Sequence, residues 1–261
     1  FATDPHVVGA AMAVGIGFAM QVPALVLFSL VAVGSAANVT GGAGGPLAVL
    51  FIAIISAELG NLVSKKTKVD IIVTPAVTIL VGSLLTVLTA KYIGLAASSL
   101  GNVIVWATTL RPFIMGILIS TIVGIALTLP ISSAAICAAF GLTGLAGGAA
   151  VAGCCAQMVG FAVLSFRENR WGGLLSQGIG TSMLQMPNIV KNPRIWLPPT
   201  LAGIITGPIA TCIFKMEMNG PAVSSGMGTC GLVGQIGVIT GWFNPSETAI
   251  AHGAQAISPT V

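Results

Sequence analysis

Residues 112–166 read PFIMGILISTIVGIALTLPISSAAICAAFGLTGLAGGAAVAGCCAQMVGFAVLSF, and none of these 55 positions is Asp, Glu, Lys or Arg. A helix that crosses a bilayer needs about 20 residues with few or no charges, so this stretch holds more than two such lengths. Pro112, Pro130 and the run Gly144-Leu145-Ala146-Gly147-Gly148 divide it into apolar elements at roughly 113–129, 131–143 and 147–166.

The rest of the chain follows the same rule. Ten Lys or Arg and six Asp or Glu are the only charges in 261 residues, 6% of the chain, where a soluble domain carries about 25%. Hydrophobic types make up 55% and the mean hydropathy is +1.02. These figures exclude a soluble domain and predict an all-α integral membrane protein. The net charge of +4 is scattered, which excludes the clustered basic face of a nucleic-acid binder. The basic residues read instead as topology markers.

Upstream of the quoted stretch, 53 uncharged residues lie between Asp4 and Glu58, followed by a basic cluster and uncharged runs at 71–90 and 92–110. Downstream, a second basic cluster is followed by uncharged runs at 171–190, 195–214 and 218–246. The recurrence predicts a single membrane domain over 1–261 with two internal repeats, about 5–112 and 113–244. Local matches keep their order. Val14-Gly15-Ile16 before Pro23 parallels Val123-Gly124-Ile125 before Pro130, and Ala43-Gly44-Gly45 parallels Ala146-Gly147-Gly148. Each repeat carries five hydrophobic elements. In the first they fall at 7–22, 24–39, 45–63, 71–90 and 92–110, and in the second at 113–129, 131–143, 147–166, 195–214 and 221–243.

Segments 24–39 and 131–143 begin at a proline and run into glycine clusters, the pattern of broken or re-entrant helices. The competing reading is that the glycines let helices approach closely. Lys65, Lys66 and Lys68 in the first half and Arg167 and Arg170 in the second read as cytoplasmic, which favours parallel over inverted repeats. Phe1 and the small polar tail from Asn244 predict a natural chain that continues at one or both ends, and no signal-peptide pattern is visible.

No catalytic constellation is present, and no metal or cofactor is expected. Cys137, Cys154, Cys155, Cys212 and Cys230 lie in apolar elements without a CxxC pair, the pattern of reduced core thiols. His6 and His252 lie near the two ends and read as interfacial. The candidate binding groups are polar residues inside apolar elements. Glu58 is an acid within element 45–63, a functional-site hypothesis because of its desolvation cost, or else a side chain that snorkels toward Lys65 and Lys66. Gln157 sits in the corresponding element of the second half. Its amide both donates and accepts, which suits a hydroxylated ligand or a tie between helices. Asn38 and Thr40 flank the first glycine cluster, and Ser224 and Ser225 mark the last element.

About twenty extra residues, roughly 170–192, set the second half apart. They carry Gln177, Gln185 and Asn188 among glycine, proline and methionine. The stretch reads as a segment folded back toward the interior, or as an interfacial connector anchored by Trp171 and Trp196.

Three motifs carry a family resemblance. They are Leu129-Pro130-Ile131-Ser132-Ser133-Ala134-Ala135, the run from Gly153-Cys154-Cys155-Ala156-Gln157 to Ser165-Phe166-Arg167-Glu168-Asn169, and Gly226-Met227-Gly228-Thr229-Cys230 to Gln235-Ile236-Gly237. The chain resembles the second enzyme IIC family of the bacterial phosphotransferase system, which includes proteins named as perfringolysin regulators. The resemblance implies a multi-pass protein of the bacterial cytoplasmic (inner) membrane that forms a homodimer. It further implies a permease for a sugar or similar neutral polar solute, with phosphoryl transfer left to separate IIA and IIB components. The Gly-Ile-Thr-Glu motif of the glucose-type proteins is absent. A phosphorylation-independent carrier using Glu58, or a membrane-bound sensor, are the alternative readings.

Overall fold

The computed structural model describes residues 4–67, 69–251 and 253–255. Lys68 and His252, read above as a topology marker and an interfacial residue, lie outside the described residues. The protein is an all-α membrane protein: its described elements are helical, and the one β contact among them is an isolated antiparallel bridge between Gly144 and Met218. Four helical runs are long and apolar enough to cross a membrane: Ala24–Val63, Asp70–Thr108, Gly144–Leu164 and Pro193–Ile213. The chain divides into two compact units, residues 1–98 and 99–261.

The first unit is built from α1 (Pro5–Ala19), α2 (Ala24–Gly41), α3 (Gly45–Val63), α4 (Asp70–Leu85) and the start of α5 (Lys91–Thr108), which carries the unit boundary. Asp4 caps α1, its side chain accepting from the His6 backbone N–H at 2.8 Å, and Pro5 occupies the first turn, where a missing N–H costs nothing. The glycine cluster at 41–45 is the turn of an α2–α3 hairpin. Gly42 turns the chain at φ 52°, ψ −120°, a conformation open essentially to glycine. The hairpin arms are 18 and 19 residues long, about 27 Å each. Segment 24–39 is therefore a full-length arm rather than a re-entrant piece. The elements at 71–90 and 92–110 also differ from their expected separation: α4, a π-helical turn at Thr86–Ala90 and α5 form one continuous run of 39 residues. Lys91 interrupts the uncharged sequence without breaking the helix, because an exposed lysine keeps its head in a polar layer while its stem lies along apolar surface.

This long run packs against the hairpin through close backbone approaches. A methyl group on Gly94 would meet the Gly41 carbonyl at 2.6 Å, and one on Gly44 the Ile93 carbonyl at 2.7 Å. The apolar core of the unit, with Val26, Leu30, Val33, Val49 and Ile52, fills the space between α1, α2 and α3.

In the second unit α6 (Pro112–Thr128), α8 (Gly144–Leu164) and α11 (Leu197–Pro208) pack pairwise into a three-helix core. Between α6 and α8 lies α7 (Ser133–Ala139), only seven residues long, which is the broken element expected over 131–143. It packs on the short 3-10 turn Ala222–Gly226. The extra segment folds as α9 (Phe166–Leu175), a π-helical turn at Ser176–Gly180, a 3-10 turn at Ser182–Gln185 and α10 (Met186–Lys191). Arg170, at φ 50°, kinks α9. The chain closes with α12 (Val233–Phe243) and α13 (Glu247–Ala251).

Candidate functional site

The extra segment turns its polar side chains inward. Gln177 is 3% exposed, Gln185 7% and Ser182 0%, while Trp171 remains exposed. A buried amide must be hydrogen-bonded or it costs about 1–3 kcal/mol, and these amides satisfy one another in sequence. Gln177 Nε2 donates to Ser165 Oγ at the end of α8, Gln185 Nε2 donates to Gln177 Oε1, and Asn188 Nδ2 donates to Gln185 Oε1, each at 2.9 Å. Ser165 in turn donates to the Ala162 carbonyl at 3.3 Å. The π-helical turn brings Gln177 into this line, in keeping with the frequent use of such turns at functional positions. The Thr128 and Ser182 hydroxyls, 3.0 Å apart, tie the segment to the end of α6.

The open end of the amide chain lines a cavity of about 620 Å³, within the range of about 300–1,000 Å³ typical of small-ligand sites. Six of its ten lining residues are polar or charged: Ser165, Glu168, Asn169, Gln185, Asn188 and Arg194. Each amide nitrogen carries two hydrogens and uses one in the chain, and Asn188, at the exposed end, presents its Oδ1 as an acceptor. A wall of donors and acceptors beside Phe161 and Pro198 suits a polyhydroxylated solute with one less polar face.

The expected site residues do not all gather here. Gln185 and Asn188 do, and Gln177 stands behind them in the amide chain without lining the cavity. Gln157, 1% exposed, sits on α8 one turn before Phe161 and lines neither this cavity nor the second one described below. Its Nε2 donates to Thr200 Oγ1 on α11 at 3.0 Å, while its Oε1 is buried without a partner among the described residues. Thr200 passes its own hydrogen to the Trp196 carbonyl at 2.8 Å. Ser224 and Ser225 are buried in the turn against α7, where Ser225 Oγ donates to the Leu142 carbonyl at 2.6 Å and Ser133 Oγ to the Gly226 carbonyl at 2.7 Å. The Ser225 and Ser133 bonds latch the broken element in place. Asn38, Thr40 and Glu58 belong to the first unit. Asn38 Nδ2 donates to the Pro5 carbonyl at 2.7 Å, fastening α2 to the start of α1. Thr40 and Glu58 are exposed.

Four cavity residues carried a signal that was read differently. Ser165, Glu168 and Asn169 lie in the run after α8 that serves above as a topology marker and as part of a family motif, not as a binding group. Arg194 stands among the prolines that open α11.

A second, larger cavity of about 980 Å³ lies between α8, the end of α11 and α12. Twelve of its eighteen lining residues are apolar, which makes it the poorer host for a neutral polyol.

The family model described as "Phosphotransferase system, EIIC" matches residues 4–261. Neither the curated proteins nor the solved structures contain a match.

Proposed function

The chain belongs to the phosphotransferase system EIIC family, and from its place as the permease component of such a system we propose that it binds and translocates a sugar or similar neutral polar solute through the amide-lined cavity of the second unit. The observation that carries this reading is the directed chain from Ser165 through Gln177 and Gln185 to Asn188. Sugar hydroxyls both donate and accept, and side-chain amides match them in both senses without the desolvation cost of a fixed charge. The chain's own part is to strip water from the solute and hold it in one orientation. Members of the family work with IIA and IIB components, which supply the phosphoryl chemistry.

In this reading the protein is a homodimer of the bacterial inner membrane, with the basic loops after α3 and α8 on the cytoplasmic face. Its two halves are related as parallel repeats over about 5–112 and 113–244. Asn38, Thr40 and Glu58 are candidate binding groups of the first unit. Gln157 holds α8 and α11 at the spacing the cavity requires, and Ser225 holds the broken element.

The test is equilibrium binding of a radiolabelled sugar and polyol panel to the purified protein, followed by uptake into vesicles. At least one neutral solute binds, and Gln185→Ala and Asn188→Ala each weaken it about tenfold, the effect of one lost hydrogen bond of about 1.4 kcal/mol. Unchanged affinity in both variants overturns the site. Uptake that persists without the phosphocarrier proteins overturns the coupling to phosphorylation.

A further inference from the structure

The larger cavity has a sided construction that the permease reading leaves unused. Its walls are hydrocarbon over the stretch from Val151 to Val159 on α8, about 12 Å of helix, faced by Val238 and Ile239 of α12. Thr206 and Gln235 interrupt that wall, and the charged residues sit toward the start of α8. There the segment Lys215–Asn219 is held to the first turn of the helix by the paired Gly144–Met218 backbone bonds, both 2.9 Å. Lys215, Glu217, Asn219 and Trp242 all line the cavity.

The chemistry of those polar groups is one-sided. Asn219 spends its amide nitrogen on Glu217 Oε2 at 3.1 Å, and Gln235 spends its own on Cys155 Sγ at 3.3 Å. What remains toward the cavity is a pair of acceptors, the Glu217 carboxylate and the Asn219 side-chain carbonyl. A ligand that answers them brings donors and positive charge. Lys215, exposed and held at φ 46°, adds one cation that answers an anion. A left-handed backbone costs an ordinary residue about 1–2 kcal/mol.

We propose that this cavity binds one phospholipid bearing a primary ammonium headgroup. The ammonium donates to Glu217 and Asn219, the phosphate meets Lys215, and an acyl chain lies along the α8–α12 wall. Tryptophan at the polar end fits headgroup depth. Exposed Phe214 and Ile239 at the rim open the cavity sideways to lipid tails. A neutral polyol does not match, because most of the lining has nothing to offer its hydroxyls.

The test uses the purified full chain in mild detergent, incubated with phosphatidylethanolamine, phosphatidylcholine or phosphatidylglycerol of the same acyl composition and weighed by native mass spectrometry. Phosphatidylcholine keeps the headgroup charges but has no N–H donors, so the donor requirement is read directly. One phosphatidylethanolamine per chain is retained, about tenfold over phosphatidylcholine, as one charge-assisted hydrogen bond allows. Glu217→Gln lowers this retention about tenfold, and Ala156→Trp, which fills the wall, abolishes it. Glu217 is exposed, so Glu217→Gln decides the matter even where Ala156→Trp does not fold. Equal retention of the ethanolamine and choline lipids, retention of none, or unchanged retention in Glu217→Gln overturns the proposal.

Discussion

Replacing Gln177 with methionine cuts the amide chain at its middle without changing the bulk of the side chain. Two hydrogen bonds vanish, Gln177 to Ser165 and Gln185 to Gln177, each worth about 1 kcal/mol net. The two ends then differ. Ser165 keeps the Ala162 carbonyl as an acceptor and is left with no orphaned hydrogen. Gln185, 7% exposed, loses the only acceptor its Nε2 has in the chain, and a stranded buried donor costs about 1–3 kcal/mol. Methionine returns about 1 kcal/mol by burying an apolar chain in the same space. The balance is a loss of about 2–4 kcal/mol, confined to the segment 176–192 because the three-helix core is not touched. Hydrogen exchange followed by mass spectrometry reads this without any ligand. Peptides covering 176–192 gain about 30-fold or more in exchange rate, since about 2 kcal/mol corresponds to that factor, while peptides of α6 and α11 stay unchanged. Solute affinity falls in the same variant, because Gln185 and Asn188 lose the partner that orients them. Unchanged exchange over 176–192 refutes the view that the amides hold the segment, and loosened exchange with normal solute affinity refutes its role as a binding wall.

Gln157→Met removes one interhelical hydrogen bond, worth about 0.6 kcal/mol in a membrane protein, together with a buried carbonyl that has no partner among the described residues. The thermal midpoint in detergent therefore shifts little, while solute affinity falls because α8 and α11 lose the bond that sets their spacing, and unchanged affinity contradicts the role given to that amide. Gly94→Val places a branched side chain where a methyl group would already meet the Gly41 carbonyl at 2.6 Å. The folded protein is lost on size-exclusion chromatography, whereas Gly15→Ala, with open space around it, is tolerated. Glu58→Gln changes an exposed side chain and leaves the melting temperature within error. If it abolishes an uptake that proceeds without the phosphocarrier proteins, the ion-carrier reading replaces the permease reading. Reporter fusions after Lys66 and after Arg167 label the same face, and labels on opposite faces exclude parallel repeats.

The spans were legible because a lipid-facing helix tolerates almost no charge. The end of α3, the start of α6 and the end of α8 follow from the charges at Lys65, Arg111 and Arg167. Lys91 was misleading for the same reason: a single charge resembles a helix end, but a long flexible side chain reaches a polar layer without one. The glycine clusters were readable as punctuation and ambiguous as structure. Gly41–Gly45 makes a hairpin turn between two full arms, and Gly144–Gly148 opens α8 against a returning backbone strand. Only contacts distant in sequence separate these outcomes. Gln177, Gln185 and Asn188 stood out because amides are rare in such a chain. Their linkage was not visible, since it depends on a π-helical turn whose extra residue has no local sequence signature. Lys215, Glu217 and Asn219 escaped notice because charges at the ends of uncharged runs look like ordinary membrane boundaries.

The close approaches in the first unit have a mechanical meaning. The long α4–α5 run meets the hairpin near Thr78, where a methyl group on Gly60 would press against the threonine hydroxyl, and again at Ile93 and Gly94. These two levels are separated by about 24 Å of helix. The contacts at Ile93 and Gly94 are between backbones and have no rotamers to rearrange, and at the other level the Thr78 rotamer is fixed by its bond to the Thr74 carbonyl, so neither level slides by a fraction of a turn. Three rods braced at two heights form a truss. The first unit therefore moves as one block in any transport cycle, and the π-helical turn between the braces takes up its spare residue without shifting either.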